Sequence, residues 1–269
     1  MVKTRGTVLM DNYAWIILAL LLLAQLVMSM GVYAWGPLAP FIMGEYGVNR
    51  AKFGLLSSVM YATIVIVAFP SGFMVDKLGA RIMLILSLLF MGLPFCFIPS
   101  AKTFPYLVVL VALSGIGYGG INQVSMKGIM LWFPKRSRAS AMGIKQTGVT
   151  LGGALAAIFL PIIAIGSNWK LSMLIVGASM IVTAFASIIL YREKPKRVTE
   201  IVQTGAEIAG NGSFTKSISN PIFIILVIIL PFLAFSQSSL ATFFVLYLKE
   251  KINMSIGLAG TCLTIASRP

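Results

Sequence analysis

Gly72-Phe73-Met74-Val75-Asp76-Lys77-Leu78-Gly79-Ala80-Arg81 joins two strongly apolar segments, about 53–74 before it and 82–99 after it. A carboxylate and two cations between two such segments mark a junction at a membrane surface, where charge returns to water. The rest of the chain has the same pattern. It has 269 residues, 58% of them apolar and only 10% charged, with a mean hydropathy of +0.96. A soluble domain needs more charge than this to cover its surface. Long apolar runs with polar interruptions are instead the signature of helices crossing a bilayer. The fold class expected is an all-α polytopic membrane protein, with the lipid bilayer as its first partner.

Working outward, apolar runs fall at about 13–35, 53–74, 82–99, 105–130, 139–165 and 171–191. The first is too long for a signal peptide and is followed by further segments, so it reads as a membrane helix, with Gly36-Pro37 as its exit. Residues 192–220 are polar and rich in Gly, Ser, Thr and Asn, the composition of a surface linker. A seventh run covers about 221–248. An eighth starts near Ser255 and stops at Pro269, too short to cross a ~30 Å core at ~1.5 Å per residue. The expected organisation is therefore a cytoplasmic amino terminus at 1–12, a six-helix bundle at 13–191, a cytoplasmic linker at 192–220, and at 221–269 one helix and part of the next of an incomplete second bundle. The chain reads as cut short.

Orientation follows from the cations. With the amino terminus inside, thirteen of the 21 Lys and Arg fall on inner segments and six on outer ones, leaving Lys145 within an apolar segment and terminal Arg268. That bias obeys the positive-inside rule and predicts a multi-pass protein of the plasma (inner) membrane with a cytoplasmic amino terminus. The net charge of +14 is thereby a topology signal. The basic residues do not gather on an aromatic-laced polar face, so nucleic acid is not an expected partner.

The spacing Gly72-x-x-x-Asp76-Lys77-x-Gly79-x-Arg81 resembles the signature loop between the second and third helices of the major facilitator superfamily. The stretch Gly148-Val149-Thr150-Leu151-Gly152-Gly153 is similar to an antiporter-associated motif of that family, with Val149 in place of its proline. The block from Lys127 through Trp132-Phe133-Pro134 to Gly143-Ile144-Lys145-Gln146-Thr147-Gly148 resembles the corresponding region of nitrate/nitrite, cyanate and organic-anion porters. The resemblance implies a helical bundle of six plus six, secondary transport by alternating access, and a gating role for Gly72, Asp76, Lys77, Gly79 and Arg81. Lys77 stands for a more usual arginine, and Ala80 where many members carry a base. It also implies that helices one, four and seven line the cavity. On physical grounds alone, Gly148, Gly152 and Gly153 are a helix-packing surface, Gly148 and Gly152 forming the small-residue step that lets helices approach closely.

Other motifs carry less. Gly115-Ile116-Gly117-Tyr118-Gly119-Gly120 matches a dinucleotide fingerprint in letters, but it lies inside an apolar helix with no acid near residue 140, so it reads as tight packing or helix flexibility. Cys96 and Cys262 lie in apolar stretches and read as buried free thiols. The absence of histidine removes the commonest catalytic base and metal ligand. No catalytic residues, no metal ligands and no cofactor are expected, and the chain is not read as an enzyme.

The substrate clue lies in the intramembrane polar residues. All seven acids sit at segment ends or in loops, so a relay of buried carboxylates is not part of this stretch. Lys145 follows Arg138 by seven residues, about 10 Å into a helix. Such a lysine either faces an aqueous cavity or snorkels back to the interface, and the same choice holds for Lys127. In a cavity, a cation without a nearby acid favours an anionic solute. Gln25 and Tyr33, Asn122 and Gln123, and Gln237 are the candidate neutral contacts, each also able to serve as an interhelical hydrogen bond. The function expected is secondary transport of a small anionic solute, in partnership with the missing carboxy-terminal helices if the chain is a fragment. The alternative is a non-transporting truncated or scaffold membrane protein.

Overall fold

The computed structural model describes residues 5–192 and, beyond them, only positions 225, 229 and 232, with side chains from Tyr13 onward. The predicted linker after Arg192, the seventh and eighth apolar segments, Gln237 and Cys262 lie outside the described residues. Within them the chain forms α1 (Arg5–Tyr33), α2 (Trp35–Tyr46), α3 (Arg50–Phe97), α4 (Phe104–Gly119), α5 (Ile121–Trp132), α6 (Arg138–Gly166) and α7 (Trp169–Leu190), with short 3₁₀ turns at Ile98–Ser100 and Lys135–Ser137. Five stretches are long and apolar enough to span a bilayer.

The longest of these is two helices in one. Helical geometry in α3 is broken at Gly79, whose φ of 84° and ψ of 162° suit a residue without a Cβ. Contacts with the next helices show the consequence. Along α4 and α5, Gly115 abuts Met60, Gly119 abuts Ile64, and Lys127 reaches Asp76, so the arm at 50–78 runs the same way as α4. Gly117 abuts Met91 and Gly120 abuts Met83, so the arm at 80–97 runs the opposite way. The signature stretch is thus a hairpin turn made of one residue, with helix on either side, and residues 13–191 hold six antiparallel-compatible runs. The expected loop at 72–81 is mostly helix.

One other expectation needs revision. Gly36-Pro37 is not an exit. The backbone stays helical through Ala34 (φ −65°, ψ −29°), whose carbonyl accepts from the Leu38 N–H; Pro37 takes the N–H away from only one rung, in the first turn of α2, and the helix continues to Tyr46. Helical backbone reaches back to Arg5, ahead of the apolar run that begins at Tyr13.

Glycines decide how closely the helices meet. A Cβ on Gly152 would sit 2.4 Å from the Leu26 carbonyl oxygen, and one on Gly117 would sit 2.3 Å from that of Ser87. Neither backbone could stay where it is with any other residue. Gly148 faces Leu22 and Gln25 while Gly152 faces Leu26 and Ser29, so α1 and α6 run parallel and in direct backbone contact. This is association through close van der Waals packing, as expected where lipid is as apolar as the side chains. Ile17, Leu21, Met28, Leu84, Met91 and Met173 fill the space that remains.

Polar contacts tie the two ends of the bundle. At one end, the Tyr13 hydroxyl donates to the Leu190 carbonyl, Arg81 Nη2 donates to the Ile188 carbonyl at 2.6 Å, and Arg138 Nη2 donates to the Met130 carbonyl at 2.8 Å. Each arginine satisfies a last-turn carbonyl that has no partner within its helix, and places positive charge at the negative end of the helix dipole. At the other end, Glu45 accepts from the Trp169 indole N–H and pairs with Lys170, both at 2.5 Å, while the Tyr46 hydroxyl donates to the Ala101 carbonyl.

Candidate functional site

Lys145 is the largest polar side chain in the core, at 1% exposure. It sits on α6 one turn before Gly148, where α6 presses on α1, and this close contact closes water off on that side. Its ammonium donates to Asn122 Oδ1 on α5 at 2.9 Å, and among the described residues no carboxylate pairs with it. The side chain therefore does not snorkel outward. Asn122 itself is exposed. The lysine is buried, while the amide it holds is exposed among the described residues.

One turn along, α1 supplies a second polar group. Gln25, also 1% exposed, donates through Nε2 to Ser29 Oγ at 3.1 Å and to the Tyr118 hydroxyl at 3.2 Å, leaving Oε1 without a donor. Tyr118 is on α4, four residues before Asn122 across the Gly120 break that separates α4 from α5. Tyr33 lies against Gly153 of α6. Five candidates therefore share one seam: Lys145 with Asn122, then Gln25, then Tyr33 against Gly153.

Two candidates are elsewhere. Gln123 points the other way, donating to the Ala68 carbonyl of α3 at 3.0 Å. Lys127 ammonium is committed to Asp76 Oδ1 at 2.9 Å and to the Val75 carbonyl at 2.8 Å. Asp76 has 59% exposure, so this pair joins the signature turn to α5 at the water-facing end. Lys77 is exposed beside it, Gly72 lies one turn before, and Arg81 caps α7.

Ser29 and Tyr118 belong to the seam without being site candidates by sequence. Tyr118 sits inside a glycine motif that reads only for packing; its place one turn before Asn122 is the available signal. Arg138 counts by sequence as a topology charge, yet it closes the end of α5.

Comparison with known proteins identifies the family. The profile of the Major Facilitator Superfamily matches residues 21–267. The chain belongs to the major facilitator superfamily. It is 28% identical over 158 residues to the hexuronate transporter of Bacillus subtilis (strain 168), an overlap of 59% of this chain and 37% of that one. It is 30% identical over 166 residues to the gallate transporter of Pseudomonas putida, covering 61% of this chain and 36% of the relative. The chain thus spans little more than a third of these curated relatives, which are named as transporters and not as enzymes. Among solved structures it is similar to a bacterial homolog of the human lysosomal transporter Spinster in an inward-facing, unoccupied conformation. The TM-score is 0.77 at 20% identity, over 95% of this chain and 60% of that one. The fold is that of a major facilitator bundle, and the protein is a multi-pass membrane protein.

Proposed function

We propose that this protein acts in secondary transport of a small anionic solute by alternating access, with Lys145 as the charge that receives it. The burial of Lys145 beside a lone amide carries the reading. Placing a lysine at the centre of a membrane helix costs about 2.5–3.5 kcal/mol on insertion scales, an upper bound for Lys145 at about 10 Å depth. One hydrogen bond from a charged donor returns about 1.5–3 kcal/mol. The balance is near zero and leaves the positive charge itself uncompensated, which an anion would correct. Asn122 holds the ammonium toward the open face, and Gln25, Tyr118 and Tyr33 supply neutral contacts along the same seam. The names of two relatives, hexuronate and gallate, are names of carboxylate anions. Lys127 is assigned to the gate: with Asp76 it joins the hairpin turn to α5, the role implied for Gly72, Asp76, Lys77, Gly79 and Arg81. In this scheme the amino terminus is cytoplasmic and the membrane is the plasma (inner) membrane.

The test is equilibrium binding of D-glucuronate to the protein in lipid nanodiscs. Lys145→Gln is expected to weaken binding by at least about tenfold, the equivalent of one charged hydrogen bond. Lys127→Gln is expected to change it by less than about threefold. Equal effects of the two, or none from Lys145→Gln, would remove Lys145 from the role. Binding without uptake in proteoliposomes would favour the second reading, a non-transporting membrane scaffold.

A further inference from the structure

Lys145 does not itself meet a solute outside the bundle, because only 1% of it is exposed. What stands at the surface in its place is Asn122, an exposed residue of α5 that its ammonium holds. The chemistry of the pair fixes which way that amide is turned. An ammonium has donors and no acceptor, so at 2.9 Å it meets the carbonyl oxygen, Oδ1. The NH2 group is then the other prong of the amide, directed away from Lys145. Its two N–H donors have no acceptor among the described residues.

This arrangement settles what fits against it. The outward prong offers donors only, so it suits a carboxylate or carbonyl oxygen and rejects an ammonium. The lysine behind it draws electron density toward Oδ1, and hydrogen bonds in a chain polarise one another, so the N–H groups become stronger donors. The other cation of α5, Lys127, is already held by Asp76 and the Val75 carbonyl. Met126, one turn on along α5, and Gln146 and Thr147, next to Lys145 on α6, are exposed and carry no charge. The charge on offer is that of Lys145, delivered through an amide.

We propose that the Asn122 NH2 is the group that touches the solute, donating to a carboxylate oxygen, with Lys145 as the positioning residue that turns the amide and charges it from behind. This deepens the transport reading and rests on it. Two probes share one ring and differ in charge: D-glucuronate and the neutral D-glucuronamide, whose carbonyl is still an acceptor. Binding of each is measured by calorimetry on the whole 269-residue chain in nanodiscs. Asn122→Ala removes the donors and leaves the lysine. It is expected to weaken D-glucuronate at least about tenfold and D-glucuronamide about fivefold. In Lys145→Gln the new amide still holds Oδ1 but the charge is gone. D-glucuronate is expected to weaken at least about tenfold and D-glucuronamide by less than about threefold, a split that a merely structural fault would not produce. If folded Asn122→Ala binds D-glucuronate as well as the parent or better, the uncovered ammonium meets the solute itself, which overturns the proposal and leaves the transport reading standing. Equal losses of both probes in Lys145→Gln, or a parent that takes D-glucuronate but not D-glucuronamide, overturn it in the same way. Loss of both probes in Asn122→Ala with D-glucuronate unaffected by Lys145→Gln keeps the amide contact and removes the anion reading. A parent that binds neither probe removes both. If Asn122→Ala loses the helical circular dichroism of the parent, Asn122→Ser, which keeps an acceptor for Lys145 but not the reach of the amide, is read by the same criteria.

Discussion

Lys145 and Lys127 are two cations on apolar helices with opposite surroundings. Lys145 has an amide for company and, among the described residues, no counter-charge, which is why the proposed function gives its charge to the solute. Lys127 has a carboxylate and a carbonyl, so it is already used. The Asp76–Lys127 pair is largely water-exposed on the Asp76 side, and that sets its strength. A double-mutant cycle of Asp76→Asn and Lys127→Gln, read by thermal unfolding in detergent at low salt, is expected to return a coupling of about 0.2–1 kcal/mol, shrinking as salt is raised. A coupling beyond about 3 kcal/mol would mean that the pair is buried in the working protein. Lys145 is legible in the sequence because it is a cation inside an apolar run. Its partner is not, since Asn122 and Lys145 are 23 positions apart on different helices. Tyr118 is hidden for another reason: its neighbours are glycines, and their packing pattern masks the hydroxyl between them.

At the scale of helices, the small-residue step at Gly148 and Gly152 is legible, because only glycine at that spacing allows backbones to touch. Gly152→Leu is expected to drive α6 off the Leu26 carbonyl, costing about 1–3 kcal/mol of stability and lowering the melting temperature of the detergent-solubilised protein. No change in melting temperature would show that α1 and α6 separate without penalty. The same reasoning from letters misjudges Gly36-Pro37. Glycine followed by proline reads as a stop, yet the backbone stays helical through Ala34 and one missing N–H in the first turn of α2 does not end the helix. The hairpin at Gly79 is expected from sequence as a junction. That the junction is a single residue is not, because Asp76, Lys77 and Leu78 have no strong preference against helix, and it is the left-handed φ at Gly79 that turns the chain.

For the molecule as a whole, the two ends are held by different chemistry. One end is tied by Glu45, Trp169, Lys170 and Tyr46, a cluster in which Tyr46 also meets the rings of Phe104 and Trp169. The other is tied by arginines that close helix termini and by the exposed Asp76–Lys127 pair. Six apolar runs are readable from hydropathy, since it reflects the cost of placing charge in hydrocarbon. How the ends are pinned is not, because capping depends on which terminus lies beside which side chain. Arg81 accordingly has two duties, one after the other. The ribosome makes residue 81 long before Ile188, so during membrane insertion the guanidinium has no carbonyl to hold and, in the orientation proposed above, acts only as a charge retained on the side of synthesis. Once α7 arrives, the same group becomes its seal. Arg81→Lys keeps the first duty but loses the length and fixed N–H direction with which Nη2 meets the Ile188 carbonyl. It is expected to give normal glycosylation-tag topology but a lower melting temperature, whereas Arg81→Gln is expected to misorient a fraction of the chains as well. Identical topology and identical melting for both variants would show that assembly of the bundle does not depend on the order in which its pieces are made.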